Sequence, residues 1–186
     1  KMPLIMAGGP SAFNVEPLAD FLDFVVLGEG EEVIHEILDL VIDSQAQNLE
    51  KDELLQKLAG LDGIYVPSYY QPIYSADGRF QRIEPLRQGI PPKIEKRVVQ
   101  DFNRLPYPEE FVVPYVEVIH DRVIAEVMRG CTRGCRFCQA GMVYRPLRER
   151  DPEVLKEQIA RLVENTGYEE ISLSSLSSGD YSQIGP

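Results

Sequence analysis

Val123-Ile124-Ala125-Glu126-Val127-Met128-Arg129-Gly130-Cys131-Thr132-Arg133-Gly134-Cys135-Arg136-Phe137-Cys138 is the stretch whose reading decides the fold of this chain. Its apolar arm, Val123 to Met128, predicts a strand that runs straight into a loop of three cysteines. Downstream, Asp151-Pro152-Glu153 predicts a helix start, with Asp151 as the cap and Pro152 at the first helical position. Leu155, Ile159, Leu162 and Val163 give that helix its buried face, and Gly167 ends it. Glu170-Ile171-Ser172-Leu173-Ser174 then predicts a second strand. Strand, cysteine loop, helix and strand make one parallel unit. Just upstream, Tyr115 to Ile119 and Arg122 to Met128 are expected to form a hairpin around His120-Asp121.

The beginning of the chain repeats the parallel logic. Pro3 to Ala7 is an apolar run ended by Gly8-Gly9-Pro10, and Asp23 to Leu27 is another ended by Gly28-Glu29-Gly30. Glu16 to Leu22 predicts a short helix between them. From Glu31 to Asp43, the residues Val33, Ile34, Ile37, Leu38, Val41 and Ile42 form one face of an amphipathic helix. A second helix is expected over residues 50–60, with Leu54, Leu55 and Leu58 on one side. Pro72-Ile73-Tyr74 and Phe80 to Ile83 predict a hairpin turning at Ala76-Asp77-Gly78-Arg79. Six prolines between Pro85 and Pro114 predict an extended linker with little helix.

The expected fold class is therefore α/β. It combines the end of a Rossmann-like parallel sheet (1–48), a linker region with β-hairpins (49–114) and the first βαβ unit of a further domain (115–186). Two strands cannot complete a doubly wound sheet, so the chain is expected to be a fragment with strands missing upstream.

A formal charge of −11 argues against a general grip on nucleic acid, which needs clustered cations. Arg129, Arg133, Arg136, Arg145, Arg148 and Arg150 reverse that sign locally around the cysteines. They are either a solvated basic face or an attraction for an anionic cluster, cofactor or substrate. No apolar run approaches the roughly 20 residues needed to span a bilayer. The opening residues are too short for a secretory signal, so the chain is expected to be cytoplasmic, with no membrane partner.

Cys131, Cys135 and Cys138 have the spacing C-x3-C-x2-C and are the only cysteines, which does not suit a disulfide framework. Three thiolates on one loop can hold three irons of a 4Fe–4S cubane and leave the fourth without a protein ligand. Gly130 and Gly134 allow the backbone to fold tightly around a large inorganic core. The alternative is zinc, which prefers four ligands; His120 would have to complete a Cys3His site. His35 falls on the polar face of its helix between Glu31 and Asp39 and is assigned no role.

The cysteine loop, placed after a strand and before a helix with Phe137 ahead of its last cysteine, resembles the signature of the radical S-adenosylmethionine superfamily. The resemblance implies a partial (β/α)6 barrel, a 4Fe–4S cluster held by Cys131, Cys135 and Cys138, and S-adenosylmethionine chelated at the open iron. In that family, reductive cleavage of the cofactor yields methionine and a 5′-deoxyadenosyl radical. Phe137 would lie against the adenine. Ser177, Ser178, Gly179 and Asp180 occupy the place of the glycine-rich segment that binds the cofactor's amino group. Pro3 to Glu32, with its Gly28-Glu29-Gly30-Glu31, is similar to the last strands of cobalamin-binding-like Rossmann domains, but their Asp-x-His-x-x-Gly motif is absent and cobalamin stays open.

The resemblance thus implies an iron–sulfur oxidoreductase that starts methylation, methylthiolation or another C–H functionalisation. An electron donor of flavodoxin or ferredoxin type would serve it, and its substrate is undefined, RNA or a small molecule. A redox or zinc-binding interaction module without turnover is the alternative. Only 48 residues follow Cys138, too few for a barrel, so the chain alone is expected to be inactive.

Overall fold

The computed structural model describes residues 3–116 and 118–185. It divides into two compact units, Lys1–Val99 and Gln100–Pro186, each built as mixed α/β with small sheets.

In the first unit, β1 (Met6–Ala7) and β2 (Phe24–Val26) are parallel, with Met6 opposite Phe24. Their connection is not the α-helix expected at 16–22. Two 3-10 turns, Pro10–Asn14 and Glu16–Phe21, make it instead. Each turn has proline in its first two positions and runs no more than six residues, too short to repay α-helix nucleation. The two predicted helices form as α1 (Val33–Ala46) and α2 (Lys51–Leu58). Glu50 and Glu53 cap α2 reciprocally, each carboxylate accepting from the other's backbone N–H. The third strand, β3 (Ile64–Tyr65), is antiparallel to β2, so the sheet is mixed rather than wholly parallel. Alternation along β2 splits the interior. Phe24 and Val26 pack with Val33, Ile37, Leu58, Ile64 and Tyr69, whereas Val25 packs with Ala12, Val15 and Tyr65.

The expected hairpin is present as β4 (Tyr70–Tyr74) and β5 (Phe80–Pro85). The proline-rich segment beyond it has no helix among the described residues, but it turns at 88–89 and 102–104 rather than running extended, and part of it is fastened down. Arg97 N–H donates to Leu27 O at 2.8 Å and Glu29 N–H donates to Arg97 O at 3.0 Å. This crossing is possible because residue 28 is glycine: its φ is 112°, and a Cβ there would lie 2.1 Å from Arg97 O. The Arg97 guanidinium then pairs with Glu32 at 3.4 Å and Glu36 at 2.5 Å, both at the start of α1.

In the second unit, β6 (Val123–Glu126) and β7 (Met128–Arg129) precede the cysteines. A short helix α3 (Ala140–Val143), a strand β8 (Arg148–Glu149), the helix α4 (Pro152–Thr166) and a strand β9 (Ile171–Ser174) follow. The parallel unit forms as the pattern predicts. β6 and β9 pair in parallel from Val123 opposite Ile171 to Glu126 opposite Ser174, and α4 packs on β6 through Leu155 against Ala125, Val127 and Met128. Asp151 accepts from Glu153 N–H at 2.9 Å, and Gly167 closes the helix.

The second expected hairpin does not form. Among the described residues, 115–119 contain no strand, and Glu117 lies outside them. β6 takes β9 as its partner because α4 returns the strand 171–174 alongside it. Among the described residues no helix is long and apolar enough to cross a membrane.

Candidate metal centre

The cysteine loop is closed at its base by a ladder that the sequence pattern did not reveal. The chain bends after Glu126, and β7 pairs antiparallel with β8, setting Met128 opposite Glu149 and Arg129 opposite Arg148. Residues 130–147 are thus held at both ends. Gly130, with φ 96°, lies so close to the returning leg that a Cβ would sit 2.7 Å from Pro146 O and 2.8 Å from Leu147 Cα. A side chain there would push the two legs apart.

All three cysteines are free thiols on this loop, Cys131 and Cys138 half-buried and Cys135 exposed. The backbone N–H of Arg133 points at Cys131 Sγ at 3.5 Å. Phe137 is 92% exposed, so its ring buries nothing against the described protein. Among the described residues, no three His, Cys, Asp or Glu side chains gather at one point for a single ion. A tetrahedral zinc would hold thiolates only about 3.8 Å apart. A cubane has a separate iron for each cysteine and needs them more widely spaced. Three thiols on one closed loop are a donor set of the kind a cluster takes. His120 is not brought to it: it contacts Arg122 at 2.8 Å, at the end of β6 opposite the loop. His35 is exposed on α1.

The segment after β9 turns toward the same loop. Ser178–Asp180 forms a 3-10 turn, and Arg133 reaches it from between the first two cysteines. Arg133 Nε donates to Asp180 Oδ2 at 2.5 Å, and its Nη2 donates to Asp180 Oδ1. Ser177 Oγ donates to Asp180 Oδ2 at 2.7 Å. The bonds from Arg133 and then Ser177 hold the Asp180 carboxyl below its ordinary range, so it is ionised near neutrality. Behind the turn, buried Tyr181 donates its hydroxyl to Arg150 O at 2.8 Å, and Ser182 N–H donates to Glu149 Oε1 at 3.0 Å. The strand that closes the cysteine loop therefore also anchors the Ser177–Asp180 turn.

The arginines around the loop divide by role. Arg129 forms a bidentate pair with Glu126 and lies over the Phe102 ring at 5.2 Å. Arg150 is 1% exposed, with its guanidinium 4.3 Å above the same ring. Neither the solvated nor the substrate-facing reading describes Arg150; it is a packed core cation. Burial draws its pKa below that of an exposed guanidinium. Arg136 and Arg145 are exposed on the loop.

Comparison with known proteins follows this division of the chain. The family described as radical SAM proteins, N-terminal, matches residues 1–67, and the radical SAM superfamily matches residues 125–185. These matches support the radical SAM superfamily. The second covers the strand, the cysteine loop, α4, β9 and the Ser177–Asp180 turn. Members of that superfamily use a 4Fe–4S cluster and S-adenosylmethionine in general. An uncharacterized protein of Methanocaldococcus jannaschii is 25% identical over 184 residues, covering 97% of this chain and 33% of its own length. The chain thus spans about a third of the length of that curated relative. No solved structure matches.

Proposed function

We propose that this chain is part of a radical S-adenosylmethionine enzyme in which Cys131, Cys135 and Cys138 hold a 4Fe–4S cluster. The observation that carries the reading is the closed loop itself. It displays three free thiols, leaves Phe137 uncovered, and has the Ser177–Asp180 turn fastened against it. When bound, the cluster would supply the electron for reductive cleavage of the S-adenosylmethionine sulfonium. The protein's own part is positional. β7 and β8 fix the ends of the loop, the Arg133 N–H points at Cys131 Sγ, and Phe137 offers an apolar surface to the adenine. Ser177, Ser178, Gly179 and Asp180 supply small residues and one carboxylate for the cofactor's ammonium.

The parallel β6–α4–β9 unit supports reading residues 115–186 as the opening of a partial (β/α)6 barrel. The parallel β1–β2 pair supports reading residues 1–48 as the end of a Rossmann-like sheet, with 49–114 between them. Cobalamin is not part of the proposal. The exposed Arg136 suits an acidic, flavodoxin- or ferredoxin-like electron donor in the cytoplasm. The substrate class proposed is RNA or a small molecule.

Anaerobic reconstitution of the intact protein tests the proposal. A cluster with four irons and an EPR signal perturbed by S-adenosylmethionine is expected, with release of 5′-deoxyadenosine on reduction. Stoichiometric zinc without a cluster, or a cluster indifferent to the cofactor, would overturn it.

A further inference from the structure

The Arg133–Asp180 pair joins two segments separated by 47 residues, a pairing the sequence did not show. Asp180 belongs to the turn assigned to the cofactor's ammonium. Arg133 belongs to the cysteine loop, where the sequence left it as either a solvated basic residue or an attraction for an anionic cluster, cofactor or substrate. We infer that Arg133 is a positioning residue for the aminoacyl end of S-adenosylmethionine, aligning Asp180 for the ammonium and presenting its remaining donors to the carboxylate.

The inventory of donors and acceptors supports this. A guanidinium has five N–H donors, and Arg133 spends two of them on Asp180, one from Nε and one from Nη2. A carboxylate has about four lone-pair sites, and Asp180 uses three, two for Arg133 and one for Ser177 Oγ. One acceptor site therefore remains beside three donors. That side-by-side set is complementary to an α-amino-acid zwitterion, with its ammonium and carboxylate on one carbon. Neither group is hidden: the side chains are 64% and 25% exposed. Because Arg133 stands between Cys131 and Cys135, displacing its pair also displaces the loop. Loop position and ligand alignment are thus set by one contact. A bidentate fork fixes both distance and plane, which a lysine at the same position would not do.

The inference rests on the reading of the loop as an S-adenosylmethionine site, and the test separates the two. In the reconstituted intact protein, S-adenosylmethionine affinity is measured by titrating the cofactor-induced change in the cluster's EPR spectrum. Iron content and amide exchange of residues 130–147 are followed alongside. Arg133→Gln is expected to keep its four irons but bind the cofactor at least about tenfold more weakly, the loss of charge-assisted hydrogen bonds. Arg133→Lys should recover only part of that affinity. The exchanged pair, Arg133→Asp with Asp180→Arg, should restore exchange protection of the loop without restoring affinity, because its polarity is wrong for the zwitterion.

Wild-type affinity in Arg133→Gln would overturn the inference, and so would full recovery in the exchanged pair, which would mark a simple tether. If the exchanged pair does not fold, the Gln and Lys variants decide the matter by themselves. A wild-type protein that takes up no cluster would instead overturn the proposed function.

Discussion

Gly28 and Gly130 make the same kind of backbone crossing in the two units, with opposite consequences. Both have φ near 100°, and at both a Cβ would strike the main chain passing alongside. At Gly28 the crossing chain carries Arg97, which is 19% exposed and finds Glu32 and Glu36 waiting on α1. The strap is completed by groups of the protein. At Gly130 the crossing chain closes a loop whose contents are not completed: Cys135, Phe137 and Met142 face solvent. A close crossing fixes where a segment begins and ends. Whether the segment is packed or left receptive depends on the side chains between.

The largest effect that would break this comparison is at Gly28. Gly28→Ala should destabilise the protein by about 4 kcal/mol in denaturant unfolding, from left-handed strain plus the collision with Arg97. Gly130→Ala should cost about 3 kcal/mol for the same reasons. It should also lower iron uptake on reconstitution, which Gly28→Ala at matched stability should not. Equal iron uptake by both would mean that the Gly130 crossing does not shape the loop. Next in size, Asp151→Ala should cost about 1 kcal/mol by uncapping α4, read from the midpoint of thermal or urea unfolding.

A pH titration gives a smaller effect that sharpens the contrast from the side of the packed unit. Tyr69 donates its hydroxyl to Asp52 Oδ1 at 3.0 Å, and burial, then the Asp52 carboxylate, pushes its pKa up to about 12. A raised tyrosine favours the neutral folded form, so its contribution is complete below about pH 10. It should fade as pH rises toward 12, and Tyr69→Phe should flatten that part of the stability profile. Unchanged alkaline sensitivity in the variant would remove Tyr69 as the cause.

Much of the fold was legible because its signals are local. The Asp151-Pro152 start, the Gly167 stop and the spacing of Leu155 and Leu162 define α4 without reference to the rest of the chain. The same holds for α2, where Leu54, Leu55 and Leu58 are buried as their spacing predicts. The hairpin expected at 115–128 failed for a non-local reason. Its arm at 123–128 had a competing partner, the 171–174 strand, which only the packing of α4 delivers. The 3-10 turns at 10–21 look helical in composition, but length and proline placement decide against an α-helix.

The candidate site divides in the same way. Residue chemistry and spacing picked out the three cysteines as candidate ligands, and the family resemblance picked out the Ser177–Asp180 segment. Only the tertiary structure decided that β8 closes the loop and anchors that segment, that Arg150 is a core cation on Phe102, and that Arg133 grips Asp180. Spacing along the chain nominates candidate ligands when they share one loop. Which of six arginines is buried, paired or left to meet a ligand depends on chain segments that meet only after folding.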